Sequence, residues 1–339
     1  MKILIVAPAW IGDTVLAQPL FARLHQRIPD LHIDALAPRW VAPVLGRMAE
    51  IRRSIDNPFA HGELAIGARR QLGRQLAGEG YDAAIVLPNS LKSALVPFFA
   101  GITLRAGFTG EARYGLLNRR LKLDPMALPT MAERFGALAA LLADGGPRAD
   151  QQPLSTPQLQ TSPAQQAATL AALGLQRPPR LVVFCPGAEY GPAKRWPTRH
   201  FAALAKILAA AGSNIWLLGS GKDRPIGDEI AAQAPGTCHN LCGQTSLEQA
   251  VDILAIADAV VCNDSGLMHV AAAVGTPLSA VYGSSSPGFT PPLSPYAKVL
   301  SLQLDCSPCF KRECPLGHLH CLENLAVDQV LNSLPEKLR

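Results

Sequence analysis

The sequence predicts an α/β protein built from two doubly wound parallel sheets, and three observations carry that prediction. Ile3-Leu4-Ile5-Val6 and Leu181-Val182-Val183-Phe184 are continuous apolar runs, each followed by a short Pro/Gly loop and then a helical pattern. Continuous runs, rather than alternating ones, mark strands covered on both faces, which is the condition of a parallel sheet between helices. Further runs of this kind alternate with amphipathic stretches through both halves of a 339-residue chain, a length that favours two domains over one. The stretch from Gly145-Gly146-Pro147 to Ser162-Pro163 is rich in Pro, Gln, Ser and Thr, lacks apolar periodicity, and reads as the linker.

Each element follows from the same pattern. In the first half, strands are expected over 2–7, 32–37, 83–88 and 102–107, with helices over 13–28, 67–79, 90–99 and 131–144. In the second half, strands are expected over 181–185, 214–219, 237–241, 259–263, 278–282 and 298–302. Helices are expected there near 198–212, 224–233, 247–256, 265–274 and 326–334. The domains are placed at 1–160 and 161–339. Two such domains predict a cleft, with ligands at the carboxyl ends of the strands.

Composition narrows the function classes. At 48% hydrophobic and 17% charged, the chain can bury a core in each half. The apolar start ends at Pro8, too early for a secretory signal, and no run of 18 apolar residues suggests a membrane span. A cytoplasmic protein is expected, so eight cysteines are not read as a disulfide framework. The net charge is +5, and its excess lies in the first half: residues 1–165 hold 18 Lys/Arg against 13 Asp/Glu, and residues 166–339 hold 13 of each. That excess is either a solvated surface or a face that meets something anionic. No nucleic-acid module is recognisable, and the charge is too modest to call for one.

Several motifs carry chemistry. Pro8-Ala9-Trp10-Ile11-Gly12-Asp13-Thr14 follows the first strand and opens a helix, which puts Asp13 at or near its N-cap. Asp13 is either a capping residue or a carboxylate that takes a proton from a hydroxyl. The loop lacks the G-x-G-x-x-G of a dinucleotide fold, which argues against a nicotinamide dehydrogenase. Cys185-Pro186-Gly187-Ala188-Glu189-Tyr190-Gly191-Pro192-Ala193-Lys194-Arg195-Trp196-Pro197 ends a strand in a Gly/Pro-rich loop, which is either a solvent-exposed basic turn or a phosphate site. There the backbone at Gly187 can approach a diphosphate and Lys194 and Arg195 can neutralise it. Asn263-Asp264-Ser265-Gly266-Leu267-Met268-His269 follows another strand. Asp264 or Ser265 caps its helix, Gly266 admits a ligand to the first-turn amides, and His269 lies one turn in from Ser265. The plain alternative is a capped helix with a satisfied histidine.

Gly219-Ser220-Gly221-Lys222-Asp223 fails as a phosphate loop, because Trp216 stands where the first Gly belongs and Asp223 where Ser/Thr belongs. Asp223 is instead a candidate acceptor for ribose hydroxyls. In the first half, Asn89, Lys92, Arg105, Arg113 and Tyr114 make a polar and basic set suited to an anionic acceptor. Finally, Cys306-x2-Cys309-x4-Cys314-x6-Cys321, with His318 and His320 inside it, has soft ligands for Zn²⁺. The spacing matches no familiar zinc pair-of-pairs, and reduced thiols without a metal are the favoured reading.

Taken together, Trp10-Ile11-Gly12-Asp13, the Asp264-Ser265-Gly266-x-x-His269 helix start and the Cys306–Cys321 segment resemble the bacterial heptosyltransferases of glycosyltransferase family 9. Pro88-Asn89-Ser90-Leu91-Lys92-Ser93-Ala94-Leu95-Val96-Pro97, Arg113-Tyr114-Gly115-Leu116-Leu117-Asn118 and the Gly187–Pro197 loop resemble the branch that adds the second inner-core heptose. The resemblance covers nearly the whole chain and is weakest over 145–165.

The resemblance implies a GT-B fold: two Rossmann-like domains facing a cleft, with the acceptor on the N-terminal one and the nucleotide sugar on the C-terminal one. It implies inverting transfer of L-glycero-D-manno-heptose from ADP-heptose to the first heptose of a lipid-linked heptosyl-Kdo2-lipid A acceptor, with no cofactor and no metal needed for chemistry. Asp13 is then the base. Lys194, with the amides around Ser265 and Gly266, stabilises the departing ADP; Gly187, Arg195, Asp223, Asp264 and His269 complete the donor site. The protein is expected to be cytoplasmic and peripheral at the inner face of the inner membrane, in transient contact with anionic lipid. Where the family's first-heptose enzymes carry a pair of hydroxyl residues near the phosphates, this chain has Glu189-Tyr190. The rivals are a GT-B transferase of another nucleotide sugar and a non-catalytic sugar-nucleotide-binding relative.

Overall fold

The computed structural model describes residues 1–60, 62–143 and 153–339. Its backbone contacts separate into two compact units, Met1–Pro157 and Gln158–Arg339. Residue 144 of the expected helix and residues 145–152 of the expected linker lie outside the described residues.

The first unit runs β1 (Lys2–Val6), α1 (Ile11–Arg27), β2 (His32–Ala37), α2 (Ala42–Leu45), β3 (Ile51–Asp56), α3 (Ile66–Ala77), β4 (Ala83–Val86), α4 (Leu95–Phe99), β5 (Leu104–Phe108), β6 (Arg119–Leu121), α5 (Met131–Ala137) and α6 (Ala140–Ala143). Its six strands lie parallel in the order β3-β2-β1-β4-β5-β6. Leu4, Val6, Leu36, Val86, Val96 and Ile102 are buried in its core. Each large apolar side chain so buried contributes about 1.5–3 kcal/mol.

Two strands of this sheet, β3 and β6, depart from the sequence expectation, and both are edges. Edge strands need no apolar run, and β3 is anchored electrostatically instead. Arg52 Nε and Nη2 donate to the Asp34 carboxylate at 2.8 and 2.6 Å, Arg53 Nε at 3.0 Å, and Tyr81 Oη at 2.7 Å. Burial alone would raise the Asp34 pKa; the hydrogen bonds from Arg52, Tyr81 and Arg53 outweigh it and hold the carboxyl below its ordinary value.

The second unit runs α7 (Pro163–Ala172), β7 (Leu181–Cys185), α8 (Thr198–Ala210), β8 (Asn214–Leu217), α9 (Arg224–Gln233), β9 (Cys238–Asn240), α10 (Leu247–Ile256), β10 (Ala259–Asn263), α11 (Gly266–Ala273), β11 (Leu278–Val281), β12 (Ala297–Leu300), α12 (His320–Glu323) and α13 (Val327–Ser333). The strand order, β12-β11-β10-β7-β8-β9, repeats the winding of the first sheet, again all parallel. Trp196 packs edge-on against Phe201 at 5.0 Å between ring centroids and donates from Nε1 to the Leu325 carbonyl at 3.0 Å.

Helix α7 was not expected. It starts where the linker composition ends, with Ser162 and Gln165 forming a reciprocal capping box. Thr161 and Thr169 tie it to α10 through the Asp252 carboxylate at 2.5 and 2.8 Å. In an open parallel sheet, ligands bind where the winding reverses. That point lies between β1 and β4 in one unit and between β7 and β10 in the other. The loops leaving these four strands carry most of the motifs singled out above.

Candidate functional site

In the first unit, α1 begins with Trp10 at the N-cap, so Asp13 is the third helical residue rather than the cap itself. It is half-buried in the first turn, where helix amides and dipole favour a carboxylate. The Thr14 hydroxyl donates to the Trp10 carbonyl at 2.9 Å, and Trp40 Nε1 donates to the Ala9 carbonyl at 2.8 Å. The loop before Asp13 is thus held from both sides. Trp10 and Trp40 remain 52% and 58% exposed beside it. Trp40 escaped the sequence reading because its partner, a backbone carbonyl, has no sequence signature.

The residues expected on the acceptor side divide. Arg113 is buried: its Nη1 donates to the Pro88 carbonyl at 2.8 Å, and its Nη2 to Asn89 Oδ1 at 2.6 Å and the Phe108 carbonyl at 2.7 Å. Asn89 in turn fills the space over Gly110, where a Cβ would collide with it. Arg105 donates from Nε to the Leu116 carbonyl at 2.6 Å and from Nη1 to the Ile102 carbonyl, and its guanidinium lies over the Phe98 ring at 5.5 Å. Burial lowers the pKa of both arginines. Both were expected as cations facing an anion; the buried Arg113 clasps its loops from inside, and the half-buried Arg105 spends hydrogen bonds on the Leu116 and Ile102 carbonyls. The half-buried Lys92 lies in the 3₁₀ turn Leu91–Ala94, and Tyr114 is 65% exposed with the Arg120 guanidinium 4.9 Å from its ring centre.

In the second unit the expected donor residues converge more closely. Lys194 closes the 3₁₀ turn Pro192–Lys194, and its Nζ lies 2.5 Å from Asp264 Oδ2, just before α11. The ammonium also lies 5.3 Å from the centre of the Tyr190 ring. Ser265 occupies the N-cap of α11 without a side-chain bond to the first turn, so those amides remain suited to an anion. His269 is buried one turn below, and its Nδ1 has no hydrogen-bond partner. Burial pushes its pKa down to about 4; Lys194 adds to this and Asp264 opposes it. His269 is therefore neutral at pH 7 and offers a hydrogen bond, not a charge.

Gly187 lies directly against the Asp223 carboxylate, where any Cβ would collide. That carboxylate accepts from the Ser220 amide at 2.9 Å and the Ser220 hydroxyl at 2.8 Å, so Asp223 shapes the turn it belongs to. Arg195 Nη2 donates to the Ala188 carbonyl at 3.1 Å, and its buried Nε has no partner. The exposed Glu189 pairs with Lys222 at 2.5 Å. Asn263 was not expected as a site residue. Its amide donates to the Pro186 carbonyl at 2.7 Å and accepts from the Trp196 amide at 2.9 Å, pinning both ends of the Lys194 loop to β10. Its signal was a polar residue closing a fully apolar strand.

The family model for glycosyltransferase family 9 (heptosyltransferase) matches residues 69–320. The chain belongs to glycosyltransferase family 9. As a member it is a heptosyl glycosyltransferase, and its two parallel six-stranded sheets are the Rossmann-like halves of the GT-B fold. It is 48% identical over 341 residues to lipopolysaccharide heptosyltransferase 2 of Escherichia coli (strain K12), covering 98% of this chain and 97% of that relative. Against lipooligosaccharide heptosyltransferase 2 of Haemophilus influenzae the identity is 49% over 313 residues, 89% of each chain. Among solved family structures, E. coli ADP-heptose LPS heptosyltransferase II superposes with a TM-score of 0.88 at 45% identity, covering 100% of this chain and 98% of that one. The E. coli heptosyltransferase WaaC with ADP gives 0.72 at 25% identity, covering 98% and 99%.

Proposed function

We propose that this family 9 enzyme moves L-glycero-D-manno-heptose from ADP-heptose to the first heptose of the lipopolysaccharide inner core, inverting the anomeric centre. The observation that carries the reading is the Lys194–Asp264 pair at the uncapped start of α11, a cation fixed where a diphosphate would meet helix amides. The likeness to relatives named for this activity supports the choice of sugar and acceptor.

In this reading the second unit holds the donor. Lys194 and the amides around Ser265 and Gly266 take up the charge that grows on ADP as its bond to the anomeric carbon breaks. Gly187, Asp223, Arg195, Asp264 and His269 shape that site. The first unit holds the acceptor, through Asn89, Lys92 and Tyr114 on a loop framework kept by Arg105 and Arg113. An acceptor hydroxyl oxygen bonds to the anomeric carbon, and Asp13 receives its proton. No metal takes part in that chemistry.

Purified protein incubated with ADP-heptose and heptosyl-Kdo2-lipid A in excess EDTA should yield a product one heptose heavier by mass spectrometry. Turnover only after Mg²⁺ is restored would overturn the role given to Lys194 and the helix amides. No product in either condition would overturn the acceptor assignment.

Among the described residues no helix is long and apolar enough to cross a membrane. We place the chain in the cytoplasm, with its basic first unit in transient contact with the anionic inner leaflet that presents the acceptor. It should sediment with anionic vesicles and not with neutral ones; equal sedimentation with both would remove that contact.

A further inference from the structure

We propose that Cys306, Cys309, Cys314 and Cys321 hold one tetrahedral, thiophilic metal ion, Zn²⁺ or Fe²⁺, which fixes the 306–321 segment as the wall behind the Lys194 loop. Cys306, Cys309, Cys314 and Cys321, with His318, line a single cavity of about 20 Å³ that also touches Ala193 and Ser284. That is room for about one water-sized occupant. All four cysteines are free thiols.

The second argument is what else could hold this segment. No residue from 301 to 321 is buried, and Phe310 and Leu316 are 52% and 61% exposed. A stretch of this length without its own apolar core needs some other staple. Yet the segment is a precise partner for the donor loop. The Ala193 amide donates to the Arg312 carbonyl at 3.0 Å, Tyr190 Oη to the Phe310 carbonyl at 2.9 Å, and the Phe310 amide to the Ser284 carbonyl at 2.7 Å. The Arg312 guanidinium lies over the Tyr190 ring at 5.3 Å, and Gly191 has no room for a Cβ because the Arg312 carbonyl fills it. Four soft ligands on residues that share one small cavity would supply the missing staple, since tetrahedral S₄ sites select zinc or iron. Among the described residues no group of three or more His, Cys, Asp or Glu side chains already stands arranged to hold a metal ion, so binding turns the four thiols inward. This metal is structural, and lies outside the chemistry proposed above.

The test is elemental analysis of the full-length protein, purified under reducing conditions without chelator. About one equivalent of zinc or iron is expected, and the element found tells the two apart. After stripping with a strong chelator, added Co²⁺ should give the absorption of a tetrahedral cobalt–thiolate centre, and trypsin should cut faster after Lys311 and Arg312. Cys309→Ser and Cys314→Ser should each lose the metal. If these variants do not fold, the metal content and Co²⁺ spectrum of the unaltered chain still decide. Metal-poor protein that takes up no Co²⁺ and whose four thiols all react freely would overturn the proposal. So would a disulfide among these cysteines in freshly reduced-and-purified protein.

Discussion

Lys194 pairs with the Asp264 carboxylate, and that makes the two residues a unit. Removing the ammonium leaves Asp264 unbalanced beside the proposed donor site, so Lys194→Ala loses an attraction and gains a repulsion. A loss of about 10²–10³-fold in kcat is expected, the scale for deleting one stabilising donor, together with weaker ADP-heptose binding. The double change Lys194→Ala/Asp264→Asn should recover part of the binding, and a calorimetric titration with ADP-heptose reads it. No recovery would mean that Asp264 does not repel the donor. Asp13→Asn keeps the size of the side chain and removes the base, so kcat should fall about 10²–10⁴-fold while ADP-heptose still binds. Normal turnover would take Asp13 out of the role. The turns that carry these residues were legible because each follows an apolar strand and is marked by Gly or Pro. The inward use of Arg105 and Arg113 was not, because an arginine's burial depends on which carbonyls the fold brings around it.

At the scale of elements, buried strands announced themselves and edges did not. β1, β4, β7 and β10 are short apolar runs, and the structure places them at the centres of the two sheets. β3 reads as polar because its arginines answer Asp34 across the ladder, and three-residue β6 is too short to show a period. Helix α7 carried its signal in Ser162-Pro163 and Gln165, a cap and a first-turn proline, but composition alone merged its start with the linker. The loops between elements are as tightly specified as the strands. Gly187→Ala would push a methyl into the Asp223 carboxylate and should destabilise the second unit by about 1–3 kcal/mol, the usual scale of overpacking. Chemical denaturation measures this, and an unchanged midpoint would show that the turn at Asp223 yields freely.

The whole molecule should lose stability in acid in two stages. His269 is pushed down to about 4 from its ordinary 6.5, and burial also lowers the pKa of His200. The unfolded chain therefore takes up these protons before the folded one does. Stability is complete above about pH 6.5 and declines as the pH falls toward 4, by roughly 3 kcal/mol for His269 alone. The Asp34 carboxyl, held below its ordinary value, keeps its contribution until the solution is more acid still. Thermal midpoints measured from pH 7 to pH 4 should fall, and His269→Gln should flatten that slope; a flat profile for the unaltered chain would refute the burial argument. The first sheet has one more consequence. Its two open flanks are β3 and β6, and each carries adjacent arginines, Arg52-Arg53 and Arg119-Arg120. A second chain trying to extend the ladder through β6 would bring like charges together along the new seam, whereas at β3 Arg52 and Arg53 are already paired with Asp34. Crowded copies of this enzyme are thus discouraged from growing into fibrils through the β6 flank of the first sheet.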